Sequence, residues 1–112
     1  MKKKPTQKVV SPAGPLGIEA AAPLRRELLA AFEEADEVLF DFSRAEDVDL
    51  AVLQVLYAAK RSAAHRGAFF ALIGSVAEKV SRRLQVAGFT RSACSTGEEL
   101  ETSLVDFGSV SR

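Results

Sequence analysis

Four acidic residues gather in one short stretch, and they are the residues whose type and spacing could do chemistry. Asp41, Glu46, Asp47 and Asp49 lie between an apolar run and an apolar helical pattern. Grouped carboxylates can hold Mg²⁺ or accept a phosphoryl group. Such a site needs paired acids at the end of the first strand, and residues 8–11 contain none. We favour the simpler interpretation, in which negative side chains near a helix N-terminus interact favourably with its dipole.

The other side chains that could act in catalysis or bind a metal occur singly. His65 is the single histidine and Cys94 the single cysteine, so the paired spacings of protein metal sites are absent. Gly14 and Gly17 lack the lysine that a phosphate-binding loop requires. His65 suits the C-terminus of a helix, and Cys94 suits a small buried position. The sequence therefore predicts no catalytic residue, no metal and no cofactor.

The totals indicate one globular domain and give no support to a nucleic-acid partner. The 112 residues are 47% hydrophobic and 27% charged, which is typical of a folded chain. Fifteen basic and fifteen acidic residues cancel, so a nucleic-acid partner is not expected. No apolar run approaches the roughly 20 residues that span a bilayer, which predicts no direct membrane insertion. Residues 1–5 are followed by no apolar h-region, and a single cysteine suits a reducing compartment. We expect a cytoplasmic protein.

The N-terminal part is predicted to be a tail followed by a hairpin. Residues 1–7 are polar and lysine-rich, which predicts a flexible basic tail before a single domain at 8–112. Two short apolar pieces, 8–11 and 16–18, flank the turn-forming residues 12–15, and this arrangement suggests a short hairpin.

Strands and helices then alternate, which predicts a mostly parallel sheet with right-handed crossovers. Two short apolar runs, 38–42 and 68–74, are typical of strands buried on both faces. An acidic turn separates the first of them from the second helix, and a short strand around 92–95 is an open possibility. Four helices are predicted: one after Pro23, then 50–66, then about 76–87, and one after Thr96.

Each predicted helix has an apolar face for the core. The expected inward residues are Leu24, Leu28, Ala31, Phe32 and Ala35 in the first helix; Val52, Leu53, Leu56, Ala59 and Ala63 in the second; Val76, Val80, Leu84 and Ala87 in the third; and Leu100, Leu104 and Phe107 in the last. Asp49 can cap the second helix and Gly67 can end it. Thr96 followed by Glu99 fits a capping box.

A second face of the second helix is the best candidate for binding a partner. Leu50, Gln54, Tyr57 and Arg61 lie at i, i+4, i+7 and i+11, away from the core stripe. Exposed apolar, tyrosine and arginine side chains are favoured at protein contacts. The alternative is that Leu50 and Tyr57 are partly buried against the third helix or the loops.

The stretch from residue 38 to 74, followed by VAEKVSRRLQVAGF, resembles the STAS domain, the fold of anti-sigma factor antagonists. Asp41-Phe42-Ser43 is similar to the Asp-Leu-Ser strand end of that family, and Val48-Asp49 to the start of its helix motif. Leu53 falls on the motif leucine, and Gly67 and the Gly88-Phe89 pair fall at matching positions. The resemblance implies an α/β fold, a STAS-type mixed β-sheet of about four to five strands flanked by about four α-helices.

The departures from the family motif concern its phosphorylated serine. The counterpart of that serine is Ala51, the preceding serine is replaced by Leu50, and the motif glycine by Val52. Serine phosphorylation at this site is therefore chemically excluded. We expect a non-phosphorylatable, non-catalytic module that docks a protein partner through the N-terminus of the second helix and the turn before it. The expected contact residues are Asp47, Val48, Asp49, Leu50, Gln54, Tyr57 and Arg61.

Two partner classes follow from the resemblance. STAS modules of this kind are similar to small signalling proteins, whose partner would be a kinase, an anti-sigma factor or a chemotaxis component. Others are similar to the cytoplasmic STAS subunit of lipid-trafficking ABC transporters, whose partner would be the transporter ATPase. The run from Asp49 to Leu56 favours the signalling group. A small receiver-like or nucleotide-binding domain is a third hypothesis, which predicts a metal- or phosphoryl-dependent change at Asp41 or Asp49.

Overall fold

A computed structural model describes residues 7–107 of the chain. The chain there alternates strands and helices, which confirms the predicted α/β class. The strands are β1 (Gln7–Val10), β2 (Gly14–Leu16), β3 (Glu37–Asp41), β4 (Ala45–Val48) and β5 (Phe69–Ile73); the helices are α1 (Ala21–Glu34), α2 (Leu50–His65), α3 (Glu78–Val86) and α4 (Gly97–Ser103), with a short 3₁₀ helix at Ile18–Ala20.

The predicted N-terminal hairpin is wrong. β1 pairs in parallel with β3, and β2 pairs in parallel with β4, so the two pieces belong to different sheets and do not pair with each other. The register of the β2–β4 pairing shifts between Gly14 and Pro15. Gly14 has a φ of 82°, a conformation that favours glycine. Both partner strands come from beyond α1, which is why local turn signals were misleading.

The acidic stretch before α2 was predicted to be a turn, but most of it is a strand. β4 places Ala45 and Val48 in the core while Glu46 faces solvent. With four residues, two of them acidic, β4 carries almost no apolar signal of its own. Its pairing with β2 supplies the order that the sequence pattern does not show.

The three-stranded sheet has the order β1-β3-β5, with all its pairings parallel. An isolated antiparallel bridge joins Ser75 to Thr96, in place of the strand suggested for residues 92–95.

Two strands of the three-stranded sheet, β3 and β5, were expected to be buried on both faces, and this prediction is wrong. Burial alternates along both strands, because α1 and α2 pack against one face only. On the opposite face Val9 and Phe69 are each about half exposed.

The helices confirm most of the predicted core faces. Every predicted inward residue of α1, α2 and α4 is buried, and so are Val76, Val80 and Leu84. Phe32 of α1 contacts Phe70 of β5, with ring centroids 6.1 Å apart. The third helix begins at Glu78, later than predicted, and Ala87 is exposed rather than inward because α3 ends before it.

The start of α4 follows its sequence signal closely. The Thr96 hydroxyl accepts a hydrogen bond from the Glu99 amide at 3.1 Å. The Glu99 carboxylate in turn accepts from the amide of Ser95, at 2.8 Å, so the reciprocal bond falls one residue earlier than in the standard capping box. α4 is thereby fixed beside β5, with the Gly97 amide donating to Gly74 O at 2.7 Å.

The outer edge of β5 is closed by side chains instead of a further strand. Lys60 Nζ donates to Phe70 O at 2.8 Å, and Glu101 Oε1 accepts from the Leu72 amide at 3.0 Å. The two side chains also form an ion pair at 2.6 Å. Because the backbone groups of an edge strand need partners, this pair anchors α4 to the sheet.

The predicted N-terminal tail, residues 1–7, lies outside the described residues apart from Gln7, which begins β1. Within residues 7–107, none of the helices combines the length and the apolar character that crossing a bilayer demands.

Candidate partner-binding site

Asp49 fixes the N-terminus of α2, as the sequence predicted. Its carboxylate accepts a hydrogen bond from the Ala51 amide at 2.8 Å, and its carbonyl accepts from the Leu53 amide at 3.1 Å. Its own amide donates to Leu16 O at 2.9 Å, which ties the helix start to the end of β2. These three hydrogen bonds, of which only one uses a carboxylate oxygen, hold the strand-to-helix join in place.

The first turn of α2 presents an apolar side chain to solvent. Leu50 is 46% exposed, Gln54 one turn later is exposed, and Ala51 between them is partly buried. The Ala51 side chain has no hydroxyl, so it cannot accept a phosphoryl group. Hydrogen bonds fix this end of the helix, and Leu50 is open to solvent there.

Asp47 and Val48 are held in the structure rather than offered to a partner. Val48 is buried, so its side chain cannot contact another protein. The Asp47 carboxylate accepts two hydrogen bonds from Arg83 of α3, at 2.7 and 2.8 Å, and Lys79 lies 3.7 Å from it. These hydrogen bonds lower the pKa of Asp47 to about 2. The cluster ties α3 to β4 and neutralises this carboxylate.

Tyr57 belongs mainly to the packing of the C-terminal segment. Its hydroxyl donates to Val105 O at 2.6 Å, and its ring meets the buried ring of Phe107 edge-on at 5.1 Å. Burial raises the pKa of the Tyr57 phenol, and the nearby charge of Asp106 adds to the effect. The alternative of partial burial thus holds for Tyr57, although the contacts come from the segment after α4. Arg61, one turn further on, is exposed.

Sequence reasoning missed an apolar residue at the same end of α2. Ile18, in the 3₁₀ helix after β2, is 70% exposed. The 3₁₀ helix packs against α2, and a shallow recess beside it is lined by Pro15, Leu16, Gly17, Asp47, Asp49 and Arg83. The available signal was an isoleucine between Gly17 and Glu19 that matched no helical face. Its position at the site follows only from the β2–β4 pairing.

Asp41 is a structural residue at the end of β3. Its carboxylate accepts hydrogen bonds from the Ser11 hydroxyl and from the amide and hydroxyl of Ser43, at 2.9–3.1 Å. Burial would raise the pKa of Asp41, but these hydrogen bonds more than offset it, so the pKa lies below its ordinary value. Gly74 has a φ of 86° and leaves room for this carboxylate, which a Cβ atom would strike.

The remaining chemical candidates do not assemble into a reactive centre in the described part of the chain. Glu46 is exposed to solvent. In residues 7–107, no group of three or more His, Cys, Asp or Glu side chains is placed to hold a metal ion. Cys94 is buried, and its amide donates to the Ser81 hydroxyl at 2.9 Å. His65 lies in the last turn of α2.

Comparison with known families decides between the fold alternatives. A protein-family model described as "Mlab, STAS domain" matches residues 1–108 of the chain. The chain belongs to the STAS domain family. The predicted resemblance is therefore confirmed over almost the whole sequence. A search of curated proteins gave no match.

STAS membership gives the arrangement at α2 a general meaning. STAS domains are generally interaction modules without catalytic activity, related to anti-sigma factor antagonists. The segment that Asp49 caps is the one whose sequence resembles the STAS motif, and it carries Leu50 and Ala51.

Proposed function

We propose that this STAS domain is a cytoplasmic signalling module that docks its partner through the N-terminus of α2, without a serine switch. The partner class is a kinase, an anti-sigma factor or a chemotaxis component. The observation that carries the proposal is the exposed Leu50 on a helix start that Asp49 holds rigid. Ala51, which cannot be phosphorylated, stands where the family has its switch.

The apolar replacement favours a contact that is always available. Removing the exposed half of a leucine side chain from water contributes about 1 kcal/mol to binding. A phosphoserine would add a charge of about −1.5 to −2 at the same place and oppose such burial. Leu50 and Ala51 have no hydroxyl group and cannot be phosphorylated. Partner binding then depends on the concentrations of the two proteins and not on phosphorylation at these positions.

The residues that support binding fall into two groups. Leu50, Gln54 and Arg61 have exposed side chains and are the proposed contacts. Asp47, Val48, Asp49 and Tyr57 act by fixing the surface, through the Arg83 pair, the core, the helix cap and the C-terminal segment.

The second candidate function is that of an accessory subunit that binds the ATPase of a lipid-trafficking ABC transporter. The observation that favours it is the description of the matching family, which carries the name Mlab. The proposed contact surface is the same, and the two functions differ in the partner that it holds.

Capture of partners on the immobilised chain tests both candidates. Native chain and Leu50→Asp are exposed to cytoplasmic extract of the source organism, and the retained proteins are identified by mass spectrometry. A kinase, anti-sigma factor or chemotaxis component that is lost with Leu50→Asp supports the signalling function. A transporter ATPase lost in the same way supports the second candidate. Equal retention of the partner by both chains would show that the surface lies elsewhere.

A further inference from the structure

Resting on the proposed docking at α2, we infer that the partner's docking segment carries a basic side chain next to an apolar one. The apolar side chain covers Ile18 and Leu50, and the basic one reaches the carboxylates of Glu19 and Asp49. Ile18 and Glu19 lie in the 3₁₀ helix, so the sequence pattern of α2 did not show this chemistry.

The apolar half of the surface comes from two elements that meet at one end of the domain. Ile18 and Leu50 are both exposed apolar side chains, at 70% and 46%. The 3₁₀ helix that carries Ile18 packs against α2, and the hydrogen bond from the Asp49 amide to Leu16 O joins the end of β2, just before the 3₁₀ helix, to the start of α2. A fixed pair of exposed apolar residues can surround one apolar side chain better than either residue alone.

The acidic half lies beside it in the recess between β2 and α2. The Glu19 carboxylate is folded back towards Gly17, since a Cβ atom added to Gly17 would lie 2.8 Å from Glu19 Oε1. Gly17 lines the same recess as Asp47 and Asp49. Three carboxylates therefore gather around this recess.

The charges at the recess are only partly matched. Asp47 is bound by Arg83 and approached by Lys79. Among residues 7–107, no cation forms an ion pair within 4 Å of Glu19 or Asp49, whereas Asp47 in the same recess has two. Three carboxylates against two cations leave a net negative charge, and the described acids are not placed to hold a metal. A basic side chain of the partner complements this charge.

Complementary charge next to an apolar contact has a recognisable effect on binding. Charged groups at the rim of an interface increase the association rate and make it depend on salt, while the apolar centre holds the complex together. Arginine suits the position best, because its planar group can bind two carboxylates.

A phage-displayed peptide library, panned on the native chain and counter-selected on Leu50→Asp, is the probe that tests this inference. The expected peptides carry Arg or Lys within one helical turn of Leu, Ile or Phe. Synthetic copies should bind Glu19→Lys at least tenfold more weakly than native chain. Glu27→Lys, which makes the same charge change on the exposed outer side of α1, is the matched control and should bind like the native chain.

A second variant moves the carboxylate without removing its charge. Gly17 has extended backbone (φ −80°, ψ −174°) that alanine adopts freely, so Gly17→Ala folds but displaces the Glu19 carboxylate. Peptide binding should fall by a few-fold, between native chain and Glu19→Lys.

The outcomes separate this inference from the docking proposal. Peptides that need Leu50 but are acidic or neutral, or that bind Glu19→Lys as well as native chain, overturn the charge inference and leave docking at α2 standing. A library that yields no Leu50-dependent peptide overturns both.

Discussion

Leu50 and Tyr57 lie two turns apart on one face of α2, yet their surroundings differ. Leu50 is exposed at the start of the helix, where the Asp49 cap and the Leu16 carbonyl fix the backbone. Tyr57 is covered by the segment after α4, with its hydroxyl bonded to Val105 and its ring against Phe107. One helical face is thus covered by the fold at Tyr57 and left open to solvent at Leu50, where we propose that the partner binds. Helical spacing alone cannot distinguish the two.

The largest loss of stability is expected from a mutation of Glu101, the α4 residue that binds Lys60 and β5. Glu101→Met leaves Lys60 without its ion pair and the Leu72 amide without an acceptor, and both groups are partly buried. We expect a loss of about 2 to 3 kcal/mol in the free energy of unfolding. Urea denaturation measures it, and Glu101→Gln, which keeps an acceptor for Leu72, is the control. An equal loss in both variants would show that the edge hydrogen bond contributes little.

A smaller effect is expected at Tyr57. Tyr57→Phe keeps the ring against Phe107 but removes the hydrogen bond to Val105. The free energy of unfolding should fall by about 1 kcal/mol. Partner binding should be unchanged, because Tyr57 is not among the proposed contact residues. Thermal unfolding and binding are measured on the same preparation. A variant that folds normally but loses its partner would place Tyr57 in the interface after all.

The effect of pH on the Asp47–Arg83 pair should be the smallest. The folded pKa of Asp47, about 2, lies below its ordinary value of 3.8, so the pair stabilises the fold above about pH 4 and this contribution is lost as pH falls towards 2. Urea denaturation over this range should show the native chain and Asp47→Asn converging as pH falls. A constant difference between them would contradict the assignment.

The helices and their core faces could be predicted because their signals are local. Leu24 and Leu28, like Val52 and Leu56, repeat at helical spacing, and Asp49 and Thr96 mark helix starts by their capping chemistry. The resemblance to STAS domains was readable for the same reason, since its motif is one continuous stretch.

The errors concern contacts between distant parts of the chain. The parallel pairing of β2 with β4, and not with β1, rules out the hairpin, and it brings Ile18 to the site. The open face of the sheet depends on where α1 and α2 pack, which the apolar runs of β3 and β5 do not specify. The sequence left exposure and partial burial of Tyr57 open, because its partners, Val105 and Phe107, lie about fifty residues away.

Leu50 and Val105 provide the most direct test that α2 binds through its N-terminal end. Their side chains are almost equally exposed, at 46% and 45%, but Leu50 starts α2 whereas Val105 lies in the segment that covers the middle of the same helical face at Tyr57. Leu50→Asp and Val105→Asp should each change the melting temperature little, because exposed side chains away from packed contacts contribute within about 0.5 kcal/mol. Affinity for the captured partner, measured by calorimetry, should be lost with Leu50→Asp and kept with Val105→Asp. Loss with Val105→Asp alone, or with neither variant, would contradict the account.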